Sequence, residues 1–392
     1  MKHISSKKNA DLSLVVWILT FIISTALIIT GHNYVSKGSR ILSSEDSSAK
    51  ATVTELGDYI EDKNDAASYV LKTQYFTAKI TSGEHKGESV TAYQQMDNYT
   101  DTGERFVKVS DKVILYHYED TQGISWHFGN YARFDYILVL GLVFLVLLVV
   151  FGKGKGVSTI VSLAFTCFAV FYVFIPAVLG GHNIFLWSVI ICVFTIIMTL
   201  LLTNGISAKS VMTMLGCASG VTAAALITIA SDKIMHLTGV IDEHSIYLQI
   251  MNEEGGSINL RALIFSMITI GAMGAVMDVA MDISSSLYEV SRHAPGISFR
   301  DLFKSGMNIG RDVMGTMANT LVLAYIGSSL CSIQLKISYS GSLLELLNTE
   351  SITVELLQAL AGSLGILLTI PLTALICCFA YCGKGSHAES EI

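Results

Sequence analysis

The feature that most constrains this chain is a series of long apolar runs. A run of about 18 or more apolar residues is long enough for an α-helix to cross a lipid bilayer. We predict eight such spans, at 12–30, 134–151, 157–179, 184–202, 211–230, 260–282, 313–333 and 356–380. Lipid offers backbone N–H and C=O groups no partner, so each span has to be helical. The expected fold class is therefore an α-helical polytopic membrane bundle of about eight transmembrane helices.

The composition fits this class and argues against a soluble enzyme. Hydrophobic residues make up 52% of the 392 residues, and charged residues only 15%. The sequence contains no Walker A motif, no HExxH and no GxSxG in a strand–turn–helix setting. We therefore expect no enzyme, no catalytic residue and no bound cofactor, and the sequence leaves any metal ligand unknown.

Lysine and arginine in short loops and tails predict the orientation, because these residues concentrate on the cytoplasmic side of a membrane. With the N-terminus inside, 11 of them lie on the cytoplasmic side and three on the other. We predict a protein of the bacterial cell membrane with both termini in the cytoplasm. Its expected domains are a tail with a signal-anchor helix at 1–30, an extracytoplasmic domain at 31–133, a seven-helix membrane domain at 134–382 and a cytoplasmic tail at 383–392.

Segment 31–133 has a different character. Short alternating or β-branched runs such as KATVTEL and KVILYHY are separated by turn clusters such as SGEHKGE, which predicts strands and hairpins. Five or so strands in about 80 residues suit a small OB-like barrel. The segment holds 11 basic and 15 acidic residues, which argues against nucleic acid as a partner. His85, His117 and His127 would hold a metal ion only if they met in space, and isolated surface histidines are the other interpretation.

Two aspartates interrupt the sixth apolar run. Asp278 and Asp282 lie four residues apart in GAMGAVMDVAMDISSS, and this spacing puts them on one helical face. The seventh run begins SGMNIGRDVMGTMANT and enters the membrane on the side where the sixth leaves it. The polar ends of the two helices would lie at one depth. The candidate intramembrane site consists of Asp278, Asp282, Arg311, Asp312 and Asn319.

Two interpretations of the aspartates remain open at this point. An ionised carboxylate at the bilayer centre costs about 2.5–3.5 kcal/mol, so its presence indicates a function. In the functional interpretation, the pair binds a cation or carries a proton in an aqueous cavity. In the structural interpretation, Arg311 or Arg300 neutralises both carboxylates near the headgroups as a clamp.

Small residues recur at helical spacing on three of the predicted spans. Such residues allow helices to approach closely in a membrane. The pattern predicts packing positions at Gly271, Gly274, Gly216, Gly220, Gly362 and Gly365.

Several phrases resemble a known family. GAMGAVMDVAMDISSSLYEV, GRDVMGTMANTLVLAYIG and LAGSLGILLTIPLTAL are similar to the YibE/F-like family of bacterial multi-pass membrane proteins, and the likeness spans roughly 130–380. The piece AKITSGEHKGESV, in the outer segment, resembles the amino-terminal part of those proteins. The resemblance implies a shared membrane architecture and gives added weight to the five polar residues of the candidate site. It implies little about function, because the family is essentially uncharacterised.

Two functions follow from these patterns. The first is a permease or ion-coupled transport-like protein of unknown substrate, with a polar cytoplasm-facing site for a cation, a proton or a small solute. The alternative is a non-transporting membrane scaffold or envelope sensor whose outer β-domain binds a partner protein or an envelope polymer. The lipid bilayer is a partner in both cases, and the sequence leaves the oligomeric state open.

Overall fold

The computed structural model describes residues 2–35, 48–64, 69–97, 105–120, 123–251 and 258–382. The side chains of residues 2–13, 63, 64, 69, 70, 97, 119, 120, 123 and 251 lie outside this description. The chain forms two compact units. One comprises residues 42–147, and the other comprises residues 1–41 together with 148–392.

The first unit contains a closed five-stranded β-barrel, so the predicted small barrel is confirmed. Its strands are β1 (Ser48–Asn64), β2 (Tyr69–Ile80), β3 (Ser89–Asp97), β4 (Lys112–Asp120) and β5 (Gly123–Tyr131). They close in the order β1-β2-β3-β5-β4. The β3–β5 pair is parallel and the others are antiparallel.

Alternation along the strands builds the barrel core. Val113 and Leu115 are fully buried, as are Ala78 and Ile80, while the residues between them face outward. Strand β1 pairs with β2 along most of its length and with β4 at its start. Two register shifts in its pairing with β2 let this strand bend, as a closing barrel requires. Lys50 Nζ, at the start of β1, lies 2.7 Å from Asp135 Oδ1 just after the barrel.

The remaining described elements are helical. They are α1 (Lys2–Val35), α2 (Phe134–Phe168), a π-helix (Ala169–Phe174), α3 (Ile175–Leu179), α4 (Ile184–Asn204), α5 (Ala208–Met235), α6 (Glu243–Met251), α7 (Leu260–His293), α8 (Phe299–Ser328), α9 (Leu330–Tyr339), α10 (Leu343–Asn348) and α11 (Glu350–Tyr381).

Fewer separate spans are seen than the eight predicted. Among the described residues, six helical segments are long and apolar enough to cross a membrane, or seven if α8 and α9, bent by 62°, count as one. Two predicted spans, 134–151 and 157–179, lie in one helical stretch of 46 residues, Phe134–Leu179. Lys153 interrupts that stretch with non-helical angles (φ 50°, ψ −129°) in the glycine-rich sequence GKGKG.

The core of the second unit surrounds α11, which packs against α5, α7 and α8. Its largest cluster of buried side chains includes Val276, Ala280 and Ile283 of α7 and Ile366 and Ile370 of α11. Hydroxyl groups join α7 to its neighbours inside this apolar packing. Ser188 Oγ of α4 lies 2.5 Å from Ser266 Oγ, and Thr213 of α5 is hydrogen-bonded to Ser284.

The π-helix has a local cause in the sequence. Pro176 lacks the N–H that would bond the Tyr172 carbonyl in an α-helix. The Ile175 N–H bonds Val170 O, five residues back, as in a π-turn. His32 Nδ1 of α1 lies 2.9 Å from the Tyr172 carbonyl oxygen. A side chain from another helix thus occupies the position of the missing donor.

Candidate functional site

Asp278 and Asp282 lie on the outer face of α7. The helix begins at an Asn259 cap, whose side chain accepts the Ala262 N–H at 3.1 Å. Val279 and Ile283, each one residue beyond an aspartate, are fully buried, whereas both aspartates are exposed. The 3.6-residue period explains this separation, because the apolar residues of α7 fill the side that faces α5 and α11.

In the two turns of α7 before Asp278, the helix surface borders open space at Gly274 and polar groups at Gly271. A Cβ added at Gly274, one turn before Asp278, would meet no atom within 4 Å. A Cβ at Gly271, a further turn back, would lie 2.6 Å from the Tyr325 hydroxyl and 3.7 Å from Gln358 Nε2. A polar group of α8 and one of α11 therefore lie along the face of α7 that carries the aspartates.

Helix α8 turns its polar side outward. Only Leu302, Gly306 and Gly310, near its beginning, are buried, and they follow one another at four-residue spacing. Arg311, Asp312 and Asn319 are all exposed. A Cβ at Gly315, between them, would meet nothing within 4 Å. This half of α8 therefore presents a broad polar face.

The packing of α8 on α7 relates the two polar faces. A Cβ at Gly306 would lie 3.0 Å from Leu287 Cδ1, and one at Gly271 would lie 2.6 Å from Tyr325 Oη, so the helices run antiparallel. Between these two contacts, Asp282 falls at the level of Asp312. Asp278 falls between Gly315 and Asn319. All five predicted residues are thus exposed at overlapping levels along the two helices.

No direct bond joins these five residues. Among the described residues, no ion pair links Arg311 to Asp278 or Asp282, and no hydrogen bond joins any two members of the set. The contact that the clamp interpretation requires is therefore not made in this conformation.

The six glycines predicted for packing differ in their surroundings. A Cβ at Gly216 would collide with Thr373, and one at Gly220 with Thr369. A Cβ at Gly365 would lie 2.8 Å from Ala224 Cβ, and one at Gly362 would lie 2.9 Å from Leu321 Cδ2. Gly271 faces Tyr325, as described above, whereas Gly274 faces open space.

The sequence patterns did not predict the positions of Tyr325 and Gln358 or the contact of His32 with Tyr172. Tyr325 lies in the sequence LVLAYIG and Gln358 in VELLQALAG, and neither pattern indicates that α8 brings Tyr325 towards Gln358 of α11. Pro176 was the available signal for the His32 contact, because a proline in an apolar helix always leaves a carbonyl without its usual donor.

The barrel histidines come together only in part. The rings of His85 and His117 lie 5.7 Å apart, and Trp126 packs against both. His127 points to the opposite side of the sheet and stacks on Tyr118. Within the described part of the chain, no three His, Cys, Asp or Glu side chains are grouped closely enough to hold a metal ion.

Comparison with known proteins decides the family. The family model described as YibE/F-like protein matches residues 140–383, more than half of the chain. The chain belongs to the YibE/F-like family. The resemblance noted in the sequence is thereby confirmed. No curated protein and no solved structure matches the chain.

In this YibE/F-like protein, all five candidate polar residues lie inside the matched region, and the barrel lies outside it. Family membership and the apolar helices together indicate a membrane protein.

Proposed function

We propose that this YibE/F-like protein is a permease or ion-coupled transporter without enzymatic activity or cofactor, and that Asp278 binds its cation or proton. One observation carries the proposal. Asp278 lies within a long apolar helix, yet its side chain is exposed beside open space at Gly274 and has no cationic partner among the described residues. A carboxylate at membrane depth persists only beside water, a cation or an arginine, so the open face requires one of these.

The facing side of α8 supports an aqueous surrounding. Lipid tails would solvate the apolar side of α8 well, but they would leave Arg311, Asp312 and Asn319 without hydrogen-bond partners. Water in a cytoplasm-facing cavity would satisfy all three, and a cation entering that cavity would meet Asp312 and Asp282 before Asp278. The site would therefore concentrate cations along the route to the deepest carboxylate.

We also propose eight membrane crossings, with both termini in the cytoplasm of a bacterial cell and the barrel outside. A helix of 46 residues would be about 69 Å long at 1.5 Å per residue, more than twice the hydrocarbon thickness of about 30 Å. The break at Lys153 would divide this stretch into two crossings. A Cβ at Gly156 would collide with the Leu148 backbone, which supports a reversal of the chain there. Counting α8 with α9 as one span then gives an even number of crossings.

The proposal is tested by reconstituting the full-length protein into liposomes. A pH-sensitive dye inside the vesicles reports proton flux, and solid-supported membrane electrophysiology reports charge movement on addition of Na⁺, K⁺, Mg²⁺, Mn²⁺ or Zn²⁺. We expect a signal for at least one of these ions. Asp278→Asn should abolish it, because the substitution keeps the shape and removes only the charge, and Asp282→Asn should weaken it.

Glu289→Gln is the matched control, because Glu289 is an exposed acid at the cytoplasmic end of the same helix. It should leave the flux unchanged. Melting temperatures of all variants establish that each protein is folded. Absence of flux for every ion, or an Asp278→Asn protein as active as the unmodified one, would overturn the proposal.

A further inference from the structure

A row of aromatic side chains crosses four neighbouring strands on the outer surface of the barrel. The row consists of Tyr75 of β2, Tyr93 of β3, His127 of β5, and Tyr116 and Tyr118 of β4. Tyr75 and Tyr93 are direct cross-strand partners, as are Tyr93 and His127. Successive ring centroids lie 6.1 and 6.3 Å apart over these two steps. His127 then contacts both tyrosines of β4, at 5.7 Å for Tyr116 and 4.9 Å for Tyr118.

All five members of the row occupy outward positions of their strands, where the tyrosines of β2 and β4 are exposed and Tyr93 and His127 are half-buried. Tyr118 is 65% exposed, and Tyr75 and Tyr116 are each 37% exposed. Gly129 of β5 makes room for the row, since a Cβ there would collide with the Tyr116 ring. The apolar core of the barrel lies on the other side of the sheet, so these rings are not needed to fill it.

A basic cleft lies beside the middle of the row. Strands β3 and β5 pair at only two positions, Ala92 with Trp126 and Tyr93 with His127. Two residues further along, Gln95 and Gly129 line the cleft, which has a volume of about 530 Å³. Its lining also includes Arg105, Lys108, Asp111, Asn130 and Arg133.

The charge of the cleft is opposite to that of its domain. Segment 31–133 has four more acidic than basic residues, yet the cleft collects Arg105, Lys108 and Arg133 against a single carboxylate, Asp111. That carboxylate accepts the backbone N–H of Lys108 at 2.8 Å. Among the described residues, none of the three cationic side chains forms an ion pair. Their charge is thus available to an anion.

We propose that the row and the cleft together bind an anionic glycan. The electron-rich faces of the aromatic rings suit the C–H faces of pyranose rings. The tyrosine hydroxyls and the amides of Gln95 and Asn130 suit sugar hydroxyls. Arginine binds carboxylate and phosphate groups through paired hydrogen bonds, so Arg105 and Arg133 suit the acidic substituents of such a polymer. A lipid tail would find too few apolar groups in the cleft.

The test is calorimetric titration of the purified full-length protein in detergent. The probes are a heptagalacturonate, which carries carboxylates, a glucosylated glycerol-phosphate oligomer, which carries phosphodiesters, and neutral maltoheptaose. We expect at least one anionic glycan to bind about tenfold more tightly than maltoheptaose, in a manner that weakens with salt. Which of the two binds identifies the acidic group.

Two variants separate the parts of the site. Tyr93→Ala with Tyr118→Ala should weaken binding about tenfold through loss of the aromatic row. Arg105→Gln with Lys108→Gln should weaken it to the level of maltoheptaose and remove most of the salt dependence. Lys79→Gln with Lys86→Gln is the matched control, because both lysines are exposed on the barrel and neither lines the cleft. It should bind as the unmodified protein does.

Three outcomes would overturn the proposal. One is that neither anionic glycan binds more tightly than maltoheptaose. Another is that binding persists in both site variants when their melting temperatures are normal. The third is that nanodiscs of phosphatidylglycerol bind through Arg105 and Lys108 while the glycans do not, in which case the cleft recognises a lipid headgroup.

Discussion

At the scale of the residue, the position of His127 in the barrel affects the protonation of its imidazole. Its ring stacks on that of Tyr118 with an angle of only 6° between the planes. Burial lowers the pKa of the His127 imidazole below its usual value. The unfolded chain has no such burial, so it takes up a proton at a higher pH than the folded barrel does.

This difference predicts that acid weakens the barrel. Between the ordinary histidine pKa of about 6.5 and the lower folded value, the unfolded state binds more protons, so stability is present above this window and is lost as the pH falls through it. We expect the barrel melting temperature to fall between about pH 7.5 and about pH 5.5, and His127→Gln to flatten that slope. Scanning fluorimetry of both proteins over this range measures it. Equal slopes would show that His127 does not titrate as described.

At the scale of the element, the contact of α5 with α11 depends on missing side chains. Gly216 and Gly220 of α5 leave the space that Thr373 and Thr369 of α11 fill. The hydroxyl of Thr369 bonds back to Gly365 O of its own helix at 2.7 Å, so it does not need a partner across the contact. The two helices are held by close packing, as is usual where lipid provides no hydrophobic driving force.

Gly220→Ala should therefore destabilise the bundle. The added Cβ would collide with Thr369 and lie 2.8 Å from a Val276 methyl carbon, and overpacking of this kind costs about 1–3 kcal/mol. Gly274→Ala is the control, because its Cβ would meet nothing and alanine favours a helix by roughly 0.5–1 kcal/mol over glycine. Thermal unfolding in detergent compares the two. If both variants have the same melting temperature, the missing side chain at Gly220 does not determine how closely α11 approaches α5.

The same helices show what the sequence could predict. The length of the apolar runs predicted the helices, and the four-residue spacing placed Asp278 and Asp282 on one face, because both properties are local to a helix. The β-barrel followed from alternation for the same reason. The exposure of Asp278 and the missing contact with Arg311 depend on where α8 packs, which no spacing within one helix encodes. The sequence predicts a loop around Lys153, between the spans 134–151 and 157–179. It does not predict the π-helix before Pro176.

At the scale of the whole molecule, the orientation in the membrane decides which side each proposed site faces. The aspartates of α7 would face the cytoplasm and the aromatic row of the barrel would face the envelope. Both assignments rest on the distribution of lysine and arginine and on an even number of crossings.

Cysteine labelling tests the orientation. In a variant freed of its seven native cysteines, Lys86→Cys on the barrel should react with a membrane-impermeant maleimide on intact cells. Lys304→Cys at the start of α8 should react only after permeabilisation. Both lysines are exposed, which makes them a matched pair. A cysteine appended to the C-terminus should behave like Lys304→Cys. The reverse pattern would invert the orientation, and a reactive C-terminus would show an odd number of crossings.

The contact of His32 with the Tyr172 carbonyl has an evolutionary consequence. Pro176 removes a donor from its own helix, and α1 provides a replacement from 140 positions away along the chain. The two positions should therefore be substituted together among homologues. Chains with another residue at 176 regain the N–H and are free to lose the donor at 32, whereas chains that keep the proline should keep a hydrogen-bonding side chain there. An alignment in which the two columns vary independently would contradict this coupling.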